Sequence, residues 1–117
     1  MLQHVSIEVE PGLVDEMVSF WALLGFERID SPESLGGYVT WLGRQGTHIH
    51  LIHTEDGTVP VLGHAAVVVD DHSGTVERVR EAGYEVQDAR ELWGAPRAFA
   101  LGPGGHRVEL MGAPPPA

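Results

Sequence analysis

His4-Val5-Ser6-Ile7-Glu8-Val9-Glu10 returns in the second half of the chain as His64-Ala65-Ala66-Val67-Val68-Val69-Asp70. Three further landmarks follow in the same order. Leu24-Gly25-Phe26-Glu27 meets Ala82-Gly83-Tyr84-Glu85, Leu42-Gly43 meets Leu101-Gly102, and His50-Leu51-Ile52 meets Glu109-Leu110-Met111. The offsets are 60, 58, 59 and 59 residues, so the 117-residue chain reads as one unit written twice. Identity between the halves is modest; order and near-constant spacing carry the reading.

Each half spells the same elements. Residues 2–9 alternate and are rich in β-branched side chains, which predicts a strand. Residues 13–24 carry Val14, Met17, Val18, Trp21 and Leu24 at the spacing of one apolar helix face, and Gly25 stands where a helix cap needs a left-handed residue. Strands are expected near 26–30, 37–42 and 47–53. In the second half the strand is 63–69, the helix about 73–82 with Val76 and Val79 inward, and Gly83 its cap. Strands follow near 84–90, 96–101 and 105–111. The expected architecture is α+β: two βαβββ units. They occupy about 2–56 and 62–112 of one domain, 1–112, and a loose Pro-rich tail covers 113–117.

Alternation sorts the side chains. Val5, Ile7 and Val9 share the face suited to a helix, which leaves His4, Ser6 and Glu8 on the other. A face of His, Ser and Glu is a poor core and a good cavity wall. His64, Ala66 and Val68 match it in the second half; His48 and His50 share a face, with His53 opposite; Arg107, Glu109 and Met111 share another. Repeat-equivalent positions 4 with 64 and 50 with 109 therefore all carry groups able to ligate a metal. A lone strand histidine is ordinarily a surface or hydrogen-bonded residue. Four donors at equivalent positions favour a site, and His4, His50, His64 and Glu109 are the expected ligands. His48, His53, His72 and His106 fall off the landmarks and read as structural, His48 being the closest to an exception.

Bulk properties narrow the partners. There is no cysteine, so disulfides and thiolate-bound zinc are excluded and any metal sits on nitrogen and oxygen. Formal net charge is −10 with no basic stripe, which argues against nucleic acid. No apolar stretch reaches the roughly 20 residues of a membrane span, and no basic-then-apolar leader is visible at the start, so a cytoplasmic location is expected.

Four motifs together resemble the vicinal oxygen chelate superfamily, the glyoxalase/bleomycin resistance protein/dioxygenase group. They are Gln3-His4-Val5-Ser6-Ile7, Phe20-Trp21-Ala22-Leu23-Leu24-Gly25-Phe26, Leu62-Gly63-His64-Ala65-Ala66-Val67 and Gly102-Pro103-Gly104-Gly105-His106-Arg107-Val108-Glu109-Leu110. The resemblance spans about residues 2–112. Its last turn is softer than the Asp-Pro-Asp-Gly turn common in the family. It implies two βαβββ units related by a pseudo-twofold, their curved mixed sheet forming a cup around one divalent metal, commonly in a homodimer. It carries the metal positions to His4, His50, His64 and Glu109. Position 50 departs from the family: glyoxalase I relatives usually have Glu there and epimerases often Gln. The dioxygenase and fosfomycin-resistance pattern would use His4, His64 and Glu109 alone.

The function expected first is a divalent-metal-dependent isomerase or lyase of glyoxalase type, acting on a small oxygenated substrate through a metal-stabilised enediolate. Zn, Ni, Co, Fe or Mn would suit the donors, and Glu109 or His50 would move the proton. An extradiol-type iron dioxygenase is the first alternative; an imidazole at 50 occupying an open metal position weighs against it. A non-catalytic drug- or toxin-binding protein is the second, favoured if His4 or His64 is tied to backbone. A fosfomycin-type transferase is a further one: Ser6 suits a phosphonate, yet no basic cluster is apparent. Alternation and the repeat nominate Ser6, Thr40, Trp93, Arg97 and Phe99 as lining residues. Trp41 shares their nomination, although packing is its preferred role.

Overall fold

A computed structural model describes all of residues 1–117. The chain divides into two compact units, 1–59 and 60–117, so one repeat falls in each. Unit 1 runs β1 (His4–Val9), α1 (Val14–Ala22), β2 (Glu27–Ile29), β3 (Val39–Arg44) and β4 (Thr47–His53). Unit 2 runs β5 (Ala65–Val68), α2 (His72–Glu81), β6 (Glu85–Ala89), β7 (Arg97–Leu101) and β8 (Arg107–Met111). The βαβββ order is present twice, and the fold class is α+β as expected. Strand limits differ by a residue or two from the alternation. His64 stands just before β5, whereas its counterpart His4 is the first residue of β1.

The two four-stranded sheets have one topology, β1-β4-β3-β2 and β5-β8-β7-β6. The first strand of each unit lies parallel to the last, and the remaining pairs are antiparallel. One face of each sheet takes the helix. In unit 1 that side holds Val9, Leu42, Ile49 and Leu51, buried with Met17, Phe20 and Trp21 of α1. In unit 2 it holds Val67, Ala98, Ala100, Val108 and Leu110, with Val76 and Val79 of α2. No helix is long and apolar enough to cross a membrane.

Both helices end in the same hydrogen-bonded turn. Gly25 N–H donates to Ala22 O and Phe26 N–H reaches back to Trp21 O; Gly83 N–H donates to Arg80 O and Tyr84 N–H to Val79 O. The turn requires a left-handed residue, and Gly25 (φ 89°) and Gly83 (φ 96°) provide it. In unit 1 the Phe26 ring packs edge-on to Trp21 at 5.1 Å, the apolar contact that accompanies this motif. A Cβ at Gly83 would meet nothing within 4 Å, so substitution there reports the backbone alone. Gly83→Ala is expected to lower unfolding stability by about 1 kcal/mol in urea denaturation; an unchanged midpoint would show that the cap is not under this constraint.

Candidate functional site

In unit 1 the face away from α1 gathers three histidines. The parallel pairing of β1 with β4 sets His4 beside His48 and Ser6 beside His50, and the β3–β4 hairpin sets Trp41 beside His50. His50 is sandwiched. The His4 ring stacks on it at 4.1 Å and 19°, and the Trp41 indole at 4.3 Å and 2°. His48 Nδ1 lies 3.2 Å from His50 Nε2, a hydrogen bond whose donor depends on the tautomers. His4 Nδ1 bonds the Gln3 side-chain oxygen at 2.7 Å. Burial, reinforced by the neighbouring His4 and His48, holds the His50 pKa below the usual histidine value of 6.5. His50 is therefore kept as neutral imidazole, the form that ligates a metal or accepts a proton.

Unit 2 builds a different knot. His64 Nδ1–H donates to the Leu62 carbonyl at 2.8 Å, and Nε2 faces Glu109 Oε1 at 3.1 Å. Glu109 Oε2 accepts from Arg97 Nε at 2.8 Å, with both side chains largely withdrawn from solvent. Arg97 also donates to the Arg90 carbonyl at 2.8 Å. Phe99 lies beside Glu109 in the β7–β8 register, and the His64 ring meets it edge-on at 5.0 Å. Both nitrogens of His64 thus face oxygen acceptors. Only a doubly protonated ring satisfies both, unless a cation takes Nε2 and Oε1 together. A carbonyl on the far nitrogen is the usual support for a metal-binding histidine. By the chemistry of its donors the pair fits a divalent ion.

Within either unit no group of three or more His, Asp or Glu side chains is arranged to hold a metal ion. Each unit brings two of the four expected ligands together: His4 with His50, and His64 with Glu109. Ser6, Arg97 and Phe99 lie on the same faces as these donors. Thr40 does not. It is on the helix side of its sheet, buried, with its hydroxyl 2.8 Å from His53 Nε2. Its neighbour Trp41 takes the site face, because strand residues alternate. Trp93 sits in the β6–β7 loop, where its Nε1–H donates to Ala113 O, and Arg97 lies over its ring at 5.6 Å.

Sequence reasoning set Trp41 aside for packing and treated His48 as structural. Both touch His50, and the signal was available: Trp41 is separated from Thr40 by one step of alternation, and His48 shares the His50 face. His53 is structural as expected. His72 also matches its structural reading, with Nε2 3.2 Å from the Leu110 carbonyl.

The chain belongs to the glyoxalase/bleomycin resistance protein/dioxygenase superfamily, whose family model matches residues 3–110. Its fold is similar to that of a Bacillus anthracis protein described as of the glyoxalase family, with TM-score 0.85, 24% identity, and 95% of this chain and 93% of that one covered. It is also similar to FosX, a fosfomycin resistance protein from Listeria monocytogenes, with TM-score 0.79, 16% identity and coverages of 97% and 91%. A third similar structure is a bleomycin resistance determinant encoded on transposon Tn5, with TM-score 0.65, 14% identity and coverages of 92% and 94%. At such identities the likeness speaks to fold alone. No curated protein matches the chain. The superfamily includes glyoxalases, fosfomycin and bleomycin resistance proteins and an oxidase, and its proteins bind small molecules.

The lowered pKa of His50 has a thermodynamic consequence. As pH falls below 6.5 the unfolded chain takes up a proton at this position before the folded one does. Its contribution to stability is therefore full above that pH and declines as pH falls toward the folded-state pKa. In urea melts taken from about pH 7 down to about pH 5, His50→Gln is expected to lose less stability than the parent chain. Parallel losses in the two proteins would show that His50 protonates as easily folded as unfolded.

Proposed function

We propose that the chain is a divalent-metal-dependent isomerase or lyase of glyoxalase type acting on a small oxygenated substrate. The observation that supports it is the His64–Glu109 pair, an imidazole and a carboxylate oxygen 3.1 Å apart with the far nitrogen of the ring tied to a carbonyl. His4, His50, His64 and Glu109 would hold the ion, and zinc, nickel, cobalt, iron and manganese all suit such donors. When bound, the ion would supply Lewis acidity toward a substrate carbonyl oxygen. Each unit offers two of the four donors, so a full set draws on both units, of one chain or of two. A homodimer is part of the proposal.

The remaining chemistry falls to the chain's own side chains. His50 is neutral, so it can take the proton next to the carbonyl and return it to the neighbouring carbon. Neutral imidazole has one lone pair, so His50 cannot ligate and accept that proton at once. If His50 ligates, the transfer passes to Glu109 or to a water it holds. Glu109 already has both oxygens engaged, by His64 and by Arg97, which favours His50 for the transfer and Glu109 for holding. Trp41 and His4 fix the plane of the His50 ring between them.

A non-catalytic binding role is the second reading. It has its own observation: His64 is bonded to backbone, and every proposed donor has a protein partner. The iron dioxygenase reading rests on His4, His64 and Glu109 with position 50 left open.

Metal analysis of protein purified without added metal separates these readings. About one zinc, nickel or cobalt per chain is expected; iron would favour the dioxygenase, and none the binding protein. His64→Ala and Glu109→Ala are each expected to weaken metal binding tenfold or more. His50→Ala should abolish turnover; retained metal would mark it as the base, and lost metal as a ligand. Metal binding indifferent to His64 and Glu109 would defeat the proposal.

A further inference from the structure

All seven basic side chains in this chain are arginines, set against 17 acidic ones. Four form ion pairs: Arg28 with Asp15, Arg78 with Asp71, Arg80 with Asp88, and Arg97 with Glu109. Arg44 has a partner of its own. Arg90 is exposed, and its side chain meets no carboxylate. Arg107 differs from Arg90 in its burial. It is half-buried, has no carboxylate partner, and lies over the ring of Phe99, with the guanidinium carbon 4.1 Å from the ring centroid. An exposed arginine such as Arg90 is served by water, but a half-buried cation left unpaired on a chain of net charge −10 calls for a physical reason.

Its surroundings supply one. Arg107 and Glu109 are two residues apart on β8 and share a face, and Phe99 pairs across from Glu109. The same ring carries His64 at its edge at 5.0 Å and a second guanidinium, that of Arg97, at 5.6 Å. Arg97 is neutralised by Glu109; Arg107 is not. Glu85, in the same row two strands away, bonds Gln87 and makes no ion pair with Arg107. With its carbon 4.1 Å from the ring centroid the guanidinium rests over Phe99, and a ring contact leaves its N–H donors, the fork that grips two oxygens of one anion, unspent on a carboxylate.

We propose that Arg107, seated on Phe99, is the anchor for an oxyanion group of the ligand. The substrate is then a small oxygenated molecule bearing a carboxylate or phosphate-type group. This rests on the reading of the His64–Glu109 face as the ligand site, and it names the class of ligand that face takes. That two guanidinium groups share the Phe99 ring was hidden in the sequence, because only the β7–β8 register brings Arg107 to it.

Titration calorimetry with pyruvate, inorganic phosphate and neutral hydroxyacetone tests it, using protein as purified and after chelator dialysis. Arg107→Gln is expected to bind the preferred anion about tenfold or more weakly, with hydroxyacetone unaffected. Arg107→Lys, which keeps the charge without the fork, should fall between. Arg90→Gln removes the other unpaired charge and should leave every titration unchanged. Whichever anion loses more identifies the group as carboxylate or phosphate. The proposal is overturned if Arg107→Gln binds both anions within about twofold of the parent, or if Arg90→Gln loses as much. It is overturned too if the parent binds neither anion at about 10 mM. A metal-free chain whose anion binding still depends on Arg107 would sink the metal reading and spare this one. A metal-bearing chain with Arg107-independent binding would do the reverse.

Discussion

Each sheet of this protein has one face committed to a helix, and strand geometry then decides everything on the other. Side chains alternate with a period of two, so burying Ile49 and Leu51 obliges His48 and His50 to face away, and burying Val108 and Leu110 does the same for Arg107 and Glu109. A slip of one residue would bury the imidazoles against the helix and expose the core. The polar face is thus held in place by the apolar one. Parallel pairing of first and last strands adds the second constraint, since it sets Ser6 beside His50 and Ala66 beside Glu109.

The two units use this shared scaffold differently. Unit 1 offers a neutral histidine clamped between two rings, with burial and like-charged neighbours opposing its protonation. Unit 2 offers a carboxylate held between an arginine and a histidine, with a second arginine laid on the adjacent ring. One face is suited to accept a proton and the other to hold positive charge or meet an anion. The equivalent faces of the two units thus carry different chemistry.

The fold was legible because periodicity and punctuation survive duplication even where identity does not. Gly25 and Gly83 mark the same left-handed turn, and His4 begins β1 where its counterpart His64 immediately precedes β5. The repeat matched His4 with His64 and His50 with Glu109 as equivalent positions; that His4 meets His50 and His64 meets Glu109 comes from the strand pairing of each unit. The lining was read less well. Thr40 reads as a site residue although Trp41, its neighbour, takes that face, because Val39-Thr40-Trp41-Leu42 offers an apolar side chain at both parities; only the fold shows Thr40 and Leu42 to be the buried pair. Arg97 appeared as a lining residue, but its bond to Glu109 depends on antiparallel register between strands, which no linear pattern reveals. The Arg107–Phe99 stack was invisible for that reason too.

The central claim is that histidines and Glu109 together hold a divalent ion. X-ray absorption at the zinc edge of protein loaded with one equivalent of zinc tests it most directly. The expected result is a shell of nitrogen and oxygen only, at about 2.0–2.2 Å, with the outer-shell scattering of more than one imidazole. That imidazole signal should diminish in His64→Ala. An aquo-like shell without imidazole scattering, or zinc that dialyses away, would contradict the claim.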